Sequence, residues 1–189
     1  MLEILRKKTV GIAGCGGLGS NCAVALARVG VGKLIIADFD TISYGNLNRQ
    51  YFFYDQVGLK KAPILKVNIN RINPEVIVEA HDLKLDEQLI PELFANCDVI
   101  VEAFDLAEMK KMIIETVLEQ LSDTPIVSGV GLAGWGNSET ITTRQYGMLT
   151  VCGDGNLEVS ENMPPLAPRV GIVANMQANE VLKILLNKK

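Results

Sequence analysis

Residues 9–19 of this chain read Thr-Val-Gly-Ile-Ala-Gly-Cys-Gly-Gly-Leu-Gly, a short apolar run that ends in a cluster of glycines. The run predicts a buried strand, and apolar spacing over residues 18–29 predicts the helix that follows. In such a turn Gly14 permits the tight bend, Gly16 lets backbone approach a phosphate, and Gly19 lets helix and strand pack closely. The N-terminus of the helix attracts anions through its unpaired N–H groups. This stretch therefore predicts an α/β fold that binds a nucleotide.

The rest of the chain alternates apolar runs with amphipathic stretches, a rhythm typical of a doubly wound, mainly parallel, Rossmann-like sheet. The residues show no repeat or linker, so residues 1–189 are expected to form a single domain. Polar alternation near the end predicts a small antiparallel extension, followed by a final helix. The predicted elements are strands at 9–13, 33–37, 76–78, 98–103 and 125–128, an antiparallel pair at 139–144 and 148–151, and helices at 18–29, 61–73, 85–94, 106–121 and 168–186.

Composition excludes several classes of protein. A net charge of −4 and a pI of about 5.1 argue against a surface that binds nucleic acid nonspecifically. The chain lacks an apolar run long enough to cross a membrane, and its first eight residues do not resemble a signal peptide, so we expect a cytoplasmic protein. The four cysteines include no C-x-x-C pair, which predicts neither zinc nor disulfides.

Charged residues beside the turn indicate which nucleotide is bound. Asp38 ends the second predicted strand, where a carboxylate can accept a hydrogen bond from a ribose hydroxyl. Arg49 and Lys61 follow in a long loop and at the head of the next helix, and such cations stabilise the charge on a leaving pyrophosphate. Asp105 ends the fourth strand, across the same crevice, where it would suit Mg²⁺ bound to a triphosphate. Together they favour ATP over a dinucleotide.

Several motifs occur in one order: Gly-x-Gly-Gly-Leu-Gly at 14–19, Ala-Asp-Phe-Asp-Thr at 37–41, Asn-Leu-Asn-Arg-Gln at 46–50, Gly-x-x-Lys at 58–61, Arg-Ile-Asn-Pro at 71–74 and Ala-Phe-Asp at 103–105. This series resembles the ThiF/MoeB/HesA family, the bacterial relatives of ubiquitin-activating enzymes. The resemblance covers roughly residues 8–130, with a weaker echo after residue 167.

The resemblance implies an activity and a set of contacts. It implies ATP-dependent adenylation of the C-terminal Gly-Gly carboxylate of a small ubiquitin-like sulfur-carrier protein, with release of pyrophosphate. The short, zinc-free sequence is most like ThiF proteins that act on a ThiS-like carrier in thiamine biosynthesis, and a homodimer is implied as well. The contacts transferred to this chain are Gly17 against the phosphates, Asp38 on the ribose, Asn46, Arg49, Gln50 and Lys61 on the triphosphate, and Asp105 on Mg²⁺.

The sequence also departs from the longer family members. They carry two C-x-x-C pairs for zinc and an N-terminal arginine for the neighbouring subunit's site; here zinc is not predicted, and Arg6 is the candidate arginine. They also place a cysteine before the last helix, where it can form an acyl persulfide with the carrier. The candidate here is Cys152, which is either a tentative catalytic thiolate or an inward residue of a strand.

Three other functions stay open from the sequence. An NAD-dependent oxidoreductase would use the same glycine turn, with Arg49, Lys61 and Asp105 incidental. The tRNA threonylcarbamoyladenosine dehydratase branch of the family is the second, although the acidic pI speaks against it. The third is a nucleotide-binding scaffold without catalysis, whose signature would be the loss of a charged site residue. None of the three charged residues just named is lost.

Overall fold

The computed structural model describes residues 1–155 and 159–187. It contains the following β-strands and α-helices. The strands are β1 (Thr9–Ala13), β2 (Lys33–Ala37), β3 (Ile77–His81), β4 (Val99–Glu102), β5 (Ile126–Val130), β6 (Thr142–Tyr146) and β7 (Leu149–Gly153). The helices are α1 (Leu2–Leu5), α2 (Gly17–Arg28), α3 (Lys61–Ile72), α4 (Leu89–Phe94), α5 (Ala107–Gln120) and α6 (Ala167–Asn187).

The strands form one sheet in the order β3-β2-β1-β4-β5-β7-β6. The pairs are parallel from β3 to β7, and β6 pairs antiparallel with β7. The chain passes from β1 outward to β3 and then returns to place β4 on the other side of β1. Strand order therefore reverses between β1 and β4, and in open α/β sheets the ligand crevice lies outside the carboxyl ends of the strands at such a point.

Helices cover both faces of this sheet. Successive side chains of a strand point to opposite faces, so Leu34 and Ile36 pack in the core formed with α2, α3 and α6. Ile35 and Ala37, between and after them, pack instead against α4 and α5. The predicted doubly wound architecture is thus confirmed.

Two features of the fold were not predicted. The first four residues after Met1 form the short helix α1, in which only Leu5 is buried. The antiparallel pair is confirmed, but it continues the main sheet, because β7 pairs in parallel with β5 over five residues. The loop 41–60 contains 3₁₀ turns at Tyr44–Asn46 and Tyr54–Gln56. Across the described ranges, no helix combines the length and the apolar character that crossing a membrane requires.

Candidate nucleotide-binding cleft

A cleft of about 880 Å³ opens at the carboxyl ends of β1, β2, β4 and β5. This is the crevice predicted by the reversal of strand order. The structure brings together on its walls eight of the residues selected from the sequence. They are Gly14, Gly16, Gly17, Asp38, Arg49, Gln50, Lys61 and Asp105.

The glycine turn has the geometry that its sequence requires. Gly14 adopts a φ of +94°, and a Cβ there would lie 2.8 Å from the Ala103 carbonyl oxygen. Its N–H donates to the Ala37 carbonyl at 2.9 Å, which ties the turn to β2. A Cβ on Gly19 would lie 1.8 Å from the Gly14 carbonyl oxygen, so helix α2 packs against the turn at a distance that only glycine allows. Gly19 itself does not line the cleft, which agrees with the packing role predicted for it.

Asp38 holds this turn in place. Its Oδ2 accepts a hydrogen bond from the Cys15 N–H at 2.6 Å, and its Oδ1 accepts one from the Asp40 N–H at 2.8 Å. Burial raises the pKa of the Asp38 carboxyl, an effect that the two backbone donors and the Lys61 ammonium partly oppose. The carboxylate therefore connects the glycine turn to the end of β2.

Lys61 brings a cation to the cleft wall at the start of α3. Its Nζ lies 2.7 Å from Asp40 Oδ2, and its backbone N–H donates to the Asp40 carbonyl at 3.0 Å. The Lys61 side chain is 7% exposed, whereas that of Asp40 is 49% exposed. The ammonium is thus held in position by a carboxylate that still faces water.

Arg49 and Gln50 come from the loop after β2, which lies against the start of α2. Arg49 Nη1 donates to the Gly45 carbonyl at 3.0 Å and to Asn48 Oδ1 at 2.7 Å. No carboxylate of the residues that the structure describes forms a salt bridge with Arg49, so its charge is available to an anion. Gln50 is buried beside Gly16, and its Oε1 has no partner among the described residues.

Asn21 fixes this loop and was not identified from the sequence. Its Nδ2 donates to the Gly17 carbonyl at 2.7 Å and to the Arg49 carbonyl at 2.8 Å. The Ser20 hydroxyl acts in the same way, since it donates to the Gly16 carbonyl and accepts from the Tyr51 N–H. Polar side chains in the first turns of α2 thus position Arg49 relative to the glycine turn.

Asp105 is exposed at the cleft, just beyond the end of β4. It makes no ion pair with the described residues. Within residues 1–155 and 159–187, no three or more His, Cys, Asp or Glu side chains cluster closely enough to hold a metal ion by themselves. A cation at Asp105 would therefore need further ligands from a bound nucleotide.

Two predicted site residues lie elsewhere. Asn46 does not line the cleft; its Oδ1 accepts the Ser43 N–H at 3.0 Å, so its amide closes the 3₁₀ turn. Cys152 is fully buried on β7, 3.9 Å from the Thr143 hydroxyl, and does not line the cleft either. The interpretation of Cys152 as an inward strand residue agrees with this position. The exposure that a catalytic thiolate needs is absent, because β7 is paired on both edges and covered by α6.

We expect Cys152 to resist alkylation in the native protein. Burial raises its pKa to about 11, so both access and thiolate formation are suppressed. Mass spectrometry after treatment with iodoacetamide should show little label at Cys152 until denaturant is added. Rapid labelling of Cys152 under native conditions would instead support the thiolate interpretation.

Sequence reasoning also missed two ion pairs that involve a buried carboxylate, the first of them at the cleft. Glu102, at the end of β4, is fully buried and pairs with Lys110 of α5, which lines the cleft. Arg169, near the start of α6, is buried and pairs with Asp154, just after β7. One signal was available for the first pair, since a charged residue within the apolar run 99–103 requires a partner. The second pair had no such signal.

This chain is similar in sequence to several known proteins. The model of the ThiF family matches residues 1–189. The molybdopterin-synthase adenylyltransferase of Haemophilus influenzae is 31% identical over 189 residues, which cover 97% of this chain and 77% of that protein. The tRNA threonylcarbamoyladenosine dehydratase of Bacillus subtilis is 35% identical over 134 residues, 70% of this chain and 52% of that protein.

Among solved structures, the tRNA N6-threonylcarbamoyladenosine dehydratase of Escherichia coli in complex with AMP has the same fold. Its TM-score is 0.89 at 20% identity, and the match covers 99% of this chain and 89% of that one. The resemblance inferred from the ordered motifs is confirmed by the family match over the whole chain. This chain belongs to the ThiF family.

Proposed function

We propose that this chain is an ATP-dependent adenylyltransferase that activates the C-terminal carboxylate of a small ubiquitin-like sulfur-carrier protein. One observation carries the proposal: the cleft gathers Arg49, Lys61 and Asp105 around the glycine turn. Hydride transfer from a nicotinamide dinucleotide does not require these charges. A triphosphate that loses pyrophosphate does, because negative charge grows on the leaving group and the cations stabilise it. The names of the molybdopterin-synthase adenylyltransferases among its relatives support the same activity.

Each residue then has a chemical role. The backbone of Gly16 and Gly17 and the start of α2 cradle phosphate, and Asp38 accepts a hydrogen bond from the ribose. The carrier carboxylate attacks the α-phosphorus of ATP, and the bond from this phosphorus to the oxygen that bridges to the β-phosphate breaks. The products are an acyl-adenylate and pyrophosphate. Arg49 and Lys61 stabilise the negative charge that grows on the leaving oxygens.

Asp105 fits the role of magnesium ligand. Mg²⁺ in nucleotide sites usually takes one or two carboxylates and completes its shell with phosphates and water, so a single exposed carboxylate at the cleft suffices. Bound there, the ion would neutralise charge on the triphosphate. Asp105 stays its proposed ligand in this chain.

The carrier is a further part of the proposal. A ThiS-like carrier of thiamine biosynthesis follows from the short, zinc-free sequence, whereas the names of several relatives point to the carrier of molybdopterin synthesis. Both end in an exposed Gly-Gly carboxylate, so they share the chemistry that the cleft would recognise. A homodimer also stays a prediction, to be measured by light scattering.

The experiment that tests the proposal is exchange of labelled pyrophosphate into ATP. The chain is incubated with ATP, Mg²⁺ and either a ThiS-like or a molybdopterin-pathway carrier, and each carrier is also supplied without its final Gly-Gly. Exchange that depends on the intact carrier supports adenylation and identifies the carrier. Failure with every carrier tested would reject the proposal.

A tRNA threonylcarbamoyladenosine dehydratase is the second candidate, because proteins of that name match both in sequence and in fold. There the activated carboxylate would belong to the modified nucleoside. Its test replaces the carrier by tRNA that contains threonylcarbamoyladenosine and measures consumption of ATP. ATP consumption with this tRNA and not with a carrier would favour the second function over the first.

We expect nucleotide affinity to fall on acidification through Asp38. Burial raises the pKa of the Asp38 carboxyl. Because a ribose hydroxyl donates its hydrogen bond to the ionised form, the affinity for ATP is highest above this raised pKa and decreases as the pH falls through it. The dissociation constant of ATP is measured over a pH series for the wild type, Asp38→Asn and the exposed control Asp123→Asn. The ratio of the ATP dissociation constants of Asp38→Asn and wild type should decrease at acidic pH. A ratio that does not change with pH would contradict the role of Asp38.

A further inference from the structure

Glu102 lies at the centre of a closed polar network beneath the cleft. Its carboxylate is completely buried and accepts hydrogen bonds from the Phe104 N–H at 2.7 Å and the Ser128 hydroxyl at 2.6 Å. Lys110 Nζ completes the set at 2.9 and 3.1 Å from the two carboxylate oxygens. Charges this deeply buried are stable only when paired and hydrogen-bonded, as they are here.

Lys110 joins three parts of the cleft through this network. It lies on α5, it pairs with Glu102 of β4, and its Nζ also donates to the carbonyl of Gly129 in β5 at 2.8 Å. An ammonium has three donors, and the two oxygens of Glu102 and the Gly129 carbonyl occupy them. Although Lys110 lines the cleft, its donors are therefore engaged within the protein.

The carboxylate that Lys110 holds on β4 lies three residues before Asp105 in the chain. Glu102 fixes the Phe104 N–H, immediately before Asp105 in the chain. Gly129 also lines the cleft, near the end of β5, the strand that pairs with β4. Gln177 of α6 also connects β4 with β5, since its Nε2 donates to the carbonyls of Glu102 and Val127 at 2.9 and 3.1 Å.

We propose that Lys110 is a positioning residue, which through Glu102 holds the Asp105 carboxylate where it can ligate the cation of a metal-bound nucleotide. The inference rests on the proposed function for the identity of the nucleotide. Without the ammonium, the buried Glu102 carboxylate loses the charge that compensates it. Water then enters the network, and the hydrogen bond from the Phe104 N–H to Glu102 weakens. Asp105 consequently shifts, although neither Lys110 nor Glu102 contacts the nucleotide.

The test measures how ATP binding depends on Mg²⁺ in the full chain, with a fluorescent ATP analogue as probe. The variants are Lys110→Met, Asp105→Asn and the double variant, and the matched control is Lys111→Met, because Lys111 is its neighbour on α5 with a side chain 73% exposed. Loss of a residue that orients a metal ligand typically weakens metal binding about 10- to 100-fold. We expect Lys110→Met to raise the midpoint for Mg²⁺ at least about tenfold.

The double variant distinguishes positioning from a general loss of stability. If Lys110 acts through Asp105, the double variant has the midpoint of Asp105→Asn alone, since the two losses do not add. Additive shifts, or a lower melting temperature with an unchanged midpoint, would overturn the inference. If Lys110→Met does not fold, two milder variants provide the test. Lys110→Arg is expected to keep the wild-type midpoint for Mg²⁺. Ser128→Ala is expected to raise this midpoint, but by less than the shift expected for Lys110→Met.

Pyrophosphate exchange tests the proposed function, whereas the Mg²⁺ dependence of ATP binding tests the role of Lys110. A wild type that exchanges no pyrophosphate with any carrier, yet binds ATP with the Mg²⁺ dependence described, leaves the role of Lys110 intact. ATP binding that is indifferent to Mg²⁺ in the wild type would overturn the role of Lys110, even if exchange were observed.

Discussion

Replacement of Arg169 by alanine should lower the free energy of unfolding by about 3–5 kcal/mol, because it removes the guanidinium that pairs with a buried carboxylate. The side chains of Arg169 and Asp154 are each 2% exposed and form a salt bridge between the start of α6 and the end of β7. The guanidinium also donates to the carbonyls of Gly136, at 2.7 Å, and Gly131, at 3.3 Å. One side chain thus connects the start of α6 with the loop after β5 and with the end of β7.

Denaturation by urea, followed by circular dichroism, measures this loss. Arg144→Ala removes an equal charge from the exposed strand β6 and should change stability by less than about 0.5 kcal/mol. The double variant Arg169→Met with Asp154→Leu removes both charges and should recover much of the stability. A loss of less than about 1 kcal/mol in Arg169→Ala would show that water compensates the carboxylate and that the pair is not a structural requirement.

The glycine turn could be predicted from the sequence because its requirements are local. Gly14 needs a positive φ and Gly19 needs the absence of a Cβ, and both needs arise within residues 9–19. Asp38 was found for a similar reason, since it follows directly on the apolar run of β2. Strand ends meet at one edge of a parallel sheet, so the position of Asp105 also followed from the order of the elements.

Asn46 and Cys152 lie outside the cleft, at positions that local sequence does not specify. An amide beside Arg49 suggests a ligand, but the structure uses it for a turn, which depends on the exact path of the loop. A cysteine at a strand end suggests exposure, yet β7 is an internal strand. The pairing of β7 with β5 brings together residues more than twenty positions apart, and no local pattern specifies it.

The buried ion pairs were missed for the same physical reason. Lys110 and Glu102 are eight residues apart and belong to different elements, and Arg169 and Asp154 are fifteen apart. Glu102 lies within an apolar run, but Lys110, Arg169 and Asp154 are each typical of a solvated surface, so no pattern identified the partners. Their burial depends on helices α5 and α6 packing against the ends of β4, β5 and β7, which is a property of the assembled sheet.

Replacement of either Arg49 or Lys61 by alanine should slow carrier-dependent pyrophosphate exchange about 100- to 1,000-fold, the usual cost of removing one donor that stabilises transition-state charge. The affinity for ATP should fall much less, because the glycine turn, the helix start and Asp38 still bind the nucleotide. Arg49 has no carboxylate partner in the described part of the chain, so its charge acts on the substrate in full. Lys61 shares its charge with the half-exposed Asp40, and its effect should be the smaller of the two.

The matched control for both is Lys66→Ala, an exposed cation on α3, which should leave exchange unchanged. Melting temperatures exclude a loss of fold, and the ATP dissociation constant is measured beside the exchange rate for each variant. A rate loss that exceeds the affinity loss means that the cations stabilise the transition state more than the ground state. If rate and affinity fell equally, Arg49 and Lys61 would serve only to bind the nucleotide. The cleft would then need another source of charge for the leaving pyrophosphate, and within it Lys110 is already engaged by Glu102.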